Sequence, residues 1–195
     1  MPLTMYARDA MLDELASQIT HIGLFEDGTP IGSVTGAAST DTFTLNGHGL
    51  TDGTLVFLSD LMGGNGLVEG RPYFVVNSAA NTFQLSHYPG GDPVNFTTDV
   101  SDVTVTPSEE LAGGNYSREE INYDSAADGV IDDTDNGIDI TVPSGATVNR
   151  AGYFDASTSG NLLAVTKQTP EGPYGAEGIY RVTDSKINLN AAGAN

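Results

Sequence analysis

The chain contains no cysteine, which removes disulfides, thiol nucleophiles and zinc–thiolate centres together. Its stability must come from a packed core, from association with other chains or from bound cations. Bases are scarce as well: seven Lys and Arg stand against 26 Asp and Glu, a formal net charge of −19. A surface of that sign repels nucleic-acid phosphates and anionic membranes, so neither is an expected partner; the simpler reading is a solvated surface, with docking on a basic patch of another protein as the addition to it. Long apolar runs are also missing. No stretch approaches the ~20 residues of a membrane-spanning helix. The opening MPLTMYARDAMLDEL has neither the basic start nor the continuous apolar segment of a secretion signal. The expectation is a protein made in a cytoplasm and not exported by that route.

Glycine is what the chain has in quantity, at 24 of 195 residues, while apolar residues make up only 38%. With Asn, Asp, Ser and Thr also frequent, that balance favours many turns and an all-β fold. One segment reads as a helix: Thr4 can cap it, and Met5, Ala7, Met11, Leu12, Leu15 and Ile19 recur on or near one face. Asp9, Asp13 and Glu14 fall on its polar side, and it should end between Gln18 and Thr20. His21–Phe25 then reads as a strand, and Glu26–Pro30 as a turn, because Asp27-Gly28 supplies positive φ and Pro30 cannot continue a ladder.

From Thr40 to Ser86 short apolar or β-branched runs (TFTL, TLVFL, YFVV, TFQL) alternate with Gly, Asn and Asp clusters. This is the pattern of tight antiparallel strands, five or six of them between about Gly36 and Thr106. The phrases GHGL and YFVVNSAANTFQLS resemble a small β module of tailed-bacteriophage structural proteins, whose members read GHGL, an apolar strand, then YYVVNATANTFQLS.

A second β region starts at Gly113 and should form strands near Ile138–Val142, Thr147–Phe154, Leu162–Thr166 and Ile179–Thr183. Within it, RAGYFDASTSGNLL (150–163) echoes HIGLFEDGTPI (21–31). Equivalent hairpins commonly pair in one sandwich, so residues 1–33 plus 108–195 are expected to form one discontinuous domain. The 34–107 module would be inserted in one of its surface loops. The expected class is all-β, a mainly antiparallel sandwich or barrel, with a short N-terminal helix and an inserted small β-barrel-like domain. YARDAMLDELA, GGNYSREEINY and TVPSGATVNRAGYFDASTSGNLLAV together are similar to a family of tailed-phage proteins labelled tail fibre, head fibre or minor capsid. The matching positions are Leu12-Asp13, Gly113 to Arg118 and Thr147 to Leu163. The insertion is the departure from ordinary members.

Candidate chemistry is sparse. Asp128, Asp132, Asp133, Asp135 and Asp139 offer the hard oxygens that calcium prefers, and Asp132, Asp133 and Asp135 are the candidates for a structural Ca²⁺. An EF-hand starting at Asp132 fails, because its twelfth position is Pro143. An exposed acidic loop is the competing reading. His21, His48 and His87 lack metalloenzyme spacing, no GxSxG elbow is present, and GlyGlyAsnGly (63–66) is followed by neither a lysine nor a helix. No catalytic residue and no cofactor is expected. Alternate aromatics of the strands should be core, while Tyr88 and Tyr174 sit in turns and are candidates for an interface or for stacking on sugars. Met5, Met11, Leu12 and Leu15 are candidates for packing within an oligomer or on a partner.

The resemblance implies a non-enzymatic structural protein of a tailed-phage virion, assembled in the host cytoplasm. Its first form is a capsid accessory or decoration protein, a homotrimer binding the major capsid protein on the outer lattice. The alternative is a tail fibre or baseplate component whose inserted module contacts cell-surface glycans.

Overall fold

A computed structural model describes residues 3–135, 137–183 and 185–188. The elements run α1 (Met5–Gln18), β1 (His21–Asp27), β2 (Thr35–Ala37), β3 (Thr42–Thr44), β4 (Leu55–Gly63), β5 (Pro72–Val76), β6 (Thr82–Ser86) and β7 (Val100–Glu110). They continue as β8 (Glu119–Glu120), β9 (Val130–Ile131), β10 (Ile138–Val142), β11 (Val148–Phe154), β12 (Leu162–Glu171), β13 (Gly178–Val182) and β14 (Ile187–Asn188). The fold is all-β apart from one short N-terminal helix. Among the described residues no helix is long and apolar enough to cross a membrane.

The chain divides into two compact units, Met1–Glu26 with Glu110–Asn195, and Asp27–Glu109 between them. The first boundary lies earlier than the sequence pattern suggests, and the ladder explains why. Gly28 N–H already donates to Pro107 O at 2.8 Å, and Ile31 and Val105 exchange both backbone bonds. The turn residues read as part of the outer domain therefore belong to the continuous unit.

The continuous unit is a closed antiparallel barrel of six strands. Its order is β7-β2-β3-β6-β5-β4, and β4 returns to pair with β7 over Leu55↔Ser108 to Gly63↔Val100. Closure leaves no free edge to template pairing with another chain. The interior is apolar and aromatic: Phe43 stacks on Phe83 and tilts against Phe96, each at 5.3 Å, beside Val56, Tyr73, Val75 and Val105. Gly36 makes this possible, since a Cβ there would crowd Phe96, Val100 and Phe43 at 3.2–3.3 Å. His48 is buried in the same barrel. Its Nδ1 accepts the Leu50 N–H at 3.0 Å, which leaves Nε2–H to donate to Thr82 O at 3.3 Å, so the Gly-His-Gly turn is a structural device.

In the discontinuous unit, β1 pairs antiparallel with β11 from His21↔Phe154 to Phe25↔Arg150, and β11 pairs with β12. The two echoing segments are thus direct neighbours. β8 lies on the other side of β1. The β10–β13 pair supplies Ile138, Ile140, Val142, Tyr180 and Val182 to a core shared with Ile22 and Leu24 of β1 and Val148, Ala151 and Tyr153 of β11. The alternation of buried and outward residues along β10 is what a half-covered strand requires. The short β9–β14 pair completes the unit.

Thr4 caps α1 by accepting the Ala7 N–H at 3.3 Å. The expected apolar face needs correction. Leu12 is fully buried and Leu15 packs half-buried against the core, so neither offers a free interface, while Met5 and Met11 stay exposed. The inward line is Leu12, Leu15 and Ile19, at i, i+3 and i+7, and Met11 lies one step round the helix from it. Asp9 and Asp13 are not simply solvated. Their Oδ1 atoms accept Gly129 N–H at 2.7 Å and Ala126 N–H at 2.6 Å, tying the 126–129 turn to the helix.

Candidate functional site

The densest polar cluster grows from the end of β7 and the glycine turn that follows it. Gly113 (φ 90°) and Gly114 (φ 56°) take left-handed conformations and turn the chain so that Tyr116 and Arg118 point back at Glu110. Arg118 forms a two-pronged bond with that carboxylate, Nε to Oε1 and Nη2 to Oε2, both at 2.7 Å. Its Nη1 donates to Ala156 O at 2.9 Å and Ser159 O at 2.6 Å in the β11–β12 turn. The guanidinium carbon sits over the Phe154 ring, 3.3 Å from the centroid. Tyr116 Oη accepts the Leu24 N–H at 2.9 Å and donates to Glu110 Oε1 at 3.0 Å. Gly23 leaves the space: a Cβ there would meet Tyr116 Oη at 2.7 Å and Glu110 Oε1 at 3.0 Å.

Burial first, and then the Glu110 carboxylate, push the Tyr116 phenol far above its ordinary value of 10.0. It therefore stays protonated and cannot act as a base at neutral pH. Arg118 is equally occupied, with three of its nitrogens engaged by protein acceptors. The cluster is a staple that joins β1, β7, the 116–118 segment and the β11–β12 turn. The turn itself is held by Asp155, which accepts Asn161 N–H and Nδ2–H at 2.7 Å each. Those bonds lower the Asp155 pKa.

Two shallow clefts flank β1 and β8. One, of about 600 Å³, runs from Asp13 and Ser17 of α1 past Ile19 and His21 to Glu120 and Asp124. The other, of about 620 Å³, shares His21, Glu120 and Asn122 and reaches Asp135 and Asp139. His21 Nδ1 meets the hydroxyl of its neighbour Thr20 at 2.9 Å. Among the described residues it makes no hydrogen bond to a carboxylate, so nothing orients it as a general base needs. Tyr123 lines the first cleft with its hydroxyl buried and, among the described residues, without a hydrogen-bond partner. Burial, followed by Tyr153 and the Asp133 and Asp132 carboxylates, raises its pKa far above 10.0.

The residues singled out in the sequence go to different places. Asp132 pairs with Lys186 at 3.2 Å, Asp133 accepts the Ser185 N–H at 2.9 Å, and Asp139 pairs with Arg181 at 2.8 Å. Asp135 keeps a buried Oδ2 without a partner among the described residues. No three His, Asp or Glu among the described residues gather as a cation would require. Tyr174 is a correction. It is half-buried against the core, its ring covers Gly178, and its hydroxyl donates to Glu171 Oε1 at 2.6 Å. Tyr88 is 59% exposed, as a turn residue should be.

Sequence reasoning missed the Arg118 staple. The available signal was a tyrosine two residues before one of only five arginines in a strongly acidic chain. Such a base has to be neutralised somewhere, but nothing local names its partners. Compared with known proteins, the chain matches no family model, no curated protein and no solved structure.

Proposed function

We propose that the protein is a non-enzymatic structural component of a tailed-phage particle, most simply an accessory protein bound to the outer capsid lattice. One observation carries the reading. Two of the three segments that resemble the phage family, Gly113–Arg118 and Thr147–Leu163, are joined by Arg118 through Ala156, Ser159 and Phe154. What the motifs share is thus scaffold geometry rather than a reactive group. The ring nitrogens of His48 are spent on backbone groups inside the barrel. Each bound copy would bury surface on its neighbours and stabilise the shell by mass action.

Immunogold labelling of purified particles tests the assignment. Labels spread over heads support it, and labels confined to tail tips replace it with the tail reading. That second reading is favoured by one feature, the exposed Tyr88 on a closed barrel, which is placed to stack on a sugar. Glycan-array binding that disappears with Tyr88→Ala would establish it.

A further inference from the structure

Helix α1 carries exposed large apolar side chains: Tyr6 is 84% exposed, Met11 53% and Met5 44%. Tyr6, Ala10, Asp13 and Ser17 follow one another at i, i+4, i+7 and i+11, so they lie along one line of the helix. That line leads from the bare Tyr6 ring to the 600 Å³ cleft, whose wall begins at Asp13 and Ser17. Buried Ile19 and Ile121 contribute to the cleft, and Glu120 and Asp124 stand at its rim, both exposed. Among the described residues no side chain pairs with either carboxylate, and no lysine or arginine lines the cleft.

We infer that this stripe and cleft form a docking groove for a basic, amphipathic segment of another protein. An apolar side chain of the segment would cover Tyr6, and its Lys or Arg heads would meet Glu120, Asp124 and Asp13. Charge selects this occupant. A second copy would bring another −19 to the same face, and like charges set opposite each other oppose docking. Nucleic acid is repelled for the same reason. A lone cation is excluded by the spread of the ligands, since no three acidic or His side chains converge among the described residues. Such a groove deepens the attachment role proposed above by naming the partner's chemistry, yet its test needs only the purified chain.

The probe is a labelled helical peptide of lysine and leucine, with a glutamate–leucine peptide as control, read by fluorescence anisotropy on the full chain. Binding of the basic peptide alone is expected, and Tyr6→Ala should weaken it about tenfold, as loss of a central aromatic anchor does. The pair Glu120→Lys and Asp124→Lys should weaken it about tenfold or more in about 50 mM salt, and much less in about 300 mM, where screening already removes the attraction. Asp92→Lys with Asp102→Lys alters net charge equally in the continuous unit and should change nothing. Equal weakening by both pairs would reduce the effect to bulk attraction and overturn the groove. Indifference to Tyr6→Ala would do so too. Self-association in sedimentation that Tyr6→Ala abolishes would assign the face to a second copy instead. Peptide binding as expected, with particles that carry no label, would retain the groove and remove the virion assignment.

Discussion

The two units solve the same problem with different materials. The continuous unit has one base, Arg71, against nine acids, and it closes a barrel around Phe43, Phe83 and Phe96. The discontinuous unit has six bases against 17 acids. It combines a core that includes Tyr153 and Tyr180 with polar ties: Arg118 to Glu110, Asp9 and Asp13 to the 126–129 turn, and Asn115 to Glu177. The strand glycines follow this only in part, since Gly152 of β11 makes room for the apolar Phe25 and Leu162. Gly36 admits three apolar side chains, whereas Gly23 admits a phenol, a carboxylate and an arginine stem. The barrel ties its loops with carboxylates as well, Asp99, Asp41, Asp52 and Glu69 accepting the N–H groups of Ala38, Phe96, Ser78 and Leu61, so the contrast rests on the arginine-centred staple. In both units the connections between strands leave backbone groups that side chains satisfy.

The comparison is most directly broken by emptying each centre in turn. Phe43→Ala removes a ring with two aromatic neighbours and should cost about 3–5 kcal/mol. Hydrogen exchange should show the loss confined to the barrel. Arg118→Ala strips the buried partner from Glu110 and frees two carbonyls, and should cost about 3 kcal/mol. Its exchange should accelerate in 110–120 and 150–163 while the barrel stays protected; uniform acceleration would mean the staple holds more than its own unit.

Alkaline pH should separate the units without mutation. Tyr116 and Tyr123 have folded-state pKa values raised above 10.0, with burial as the first cause for both. A raised value means the folded state prefers the neutral phenol. That stabilisation is complete below pH 10 and drains away as pH climbs above it toward the folded values. Exchange or near-ultraviolet dichroism followed above pH 10 should therefore show the discontinuous unit loosening first. The smaller test is Thr4→Ala, which removes the helix cap and should cost about 1 kcal/mol, visible as faster exchange at the start of α1. The smallest is acid titration. Glu177 has its pKa lowered by the side chain and backbone of Asn115, so its contribution is present above 4.5 and fades as pH falls through the lowered value. Asn115→Ala should flatten that limb of the stability profile.

The all-β class was legible because turn residues and period-two runs are local signals. So were the helix cap at Thr4 and the β10 strand at Ile138–Val142. The two-residue strands β8, β9 and β14 were not, since two residues carry no period. The candidate site was far less legible. Leu12 and Met11 are neighbours with similar side chains, yet one is sealed and the other open. Tyr174 sits in a Gly-Pro-Tyr-Gly turn that reads as exposed, and packing against Gly178 half-buries it.

The sequence by itself determined the strand-and-turn alphabet, the cysteine-free chemistry and the −19 charge, because these follow from residue type and near-neighbour spacing. Only the tertiary structure decided that β4 closes on β7, that 21–25 meets 150–154 in the His21↔Phe154 register, and that Arg118 finds Glu110, Ala156 and Ser159. Those meetings depend on register and on which faces are buried together, and neither is written in any short stretch of chain.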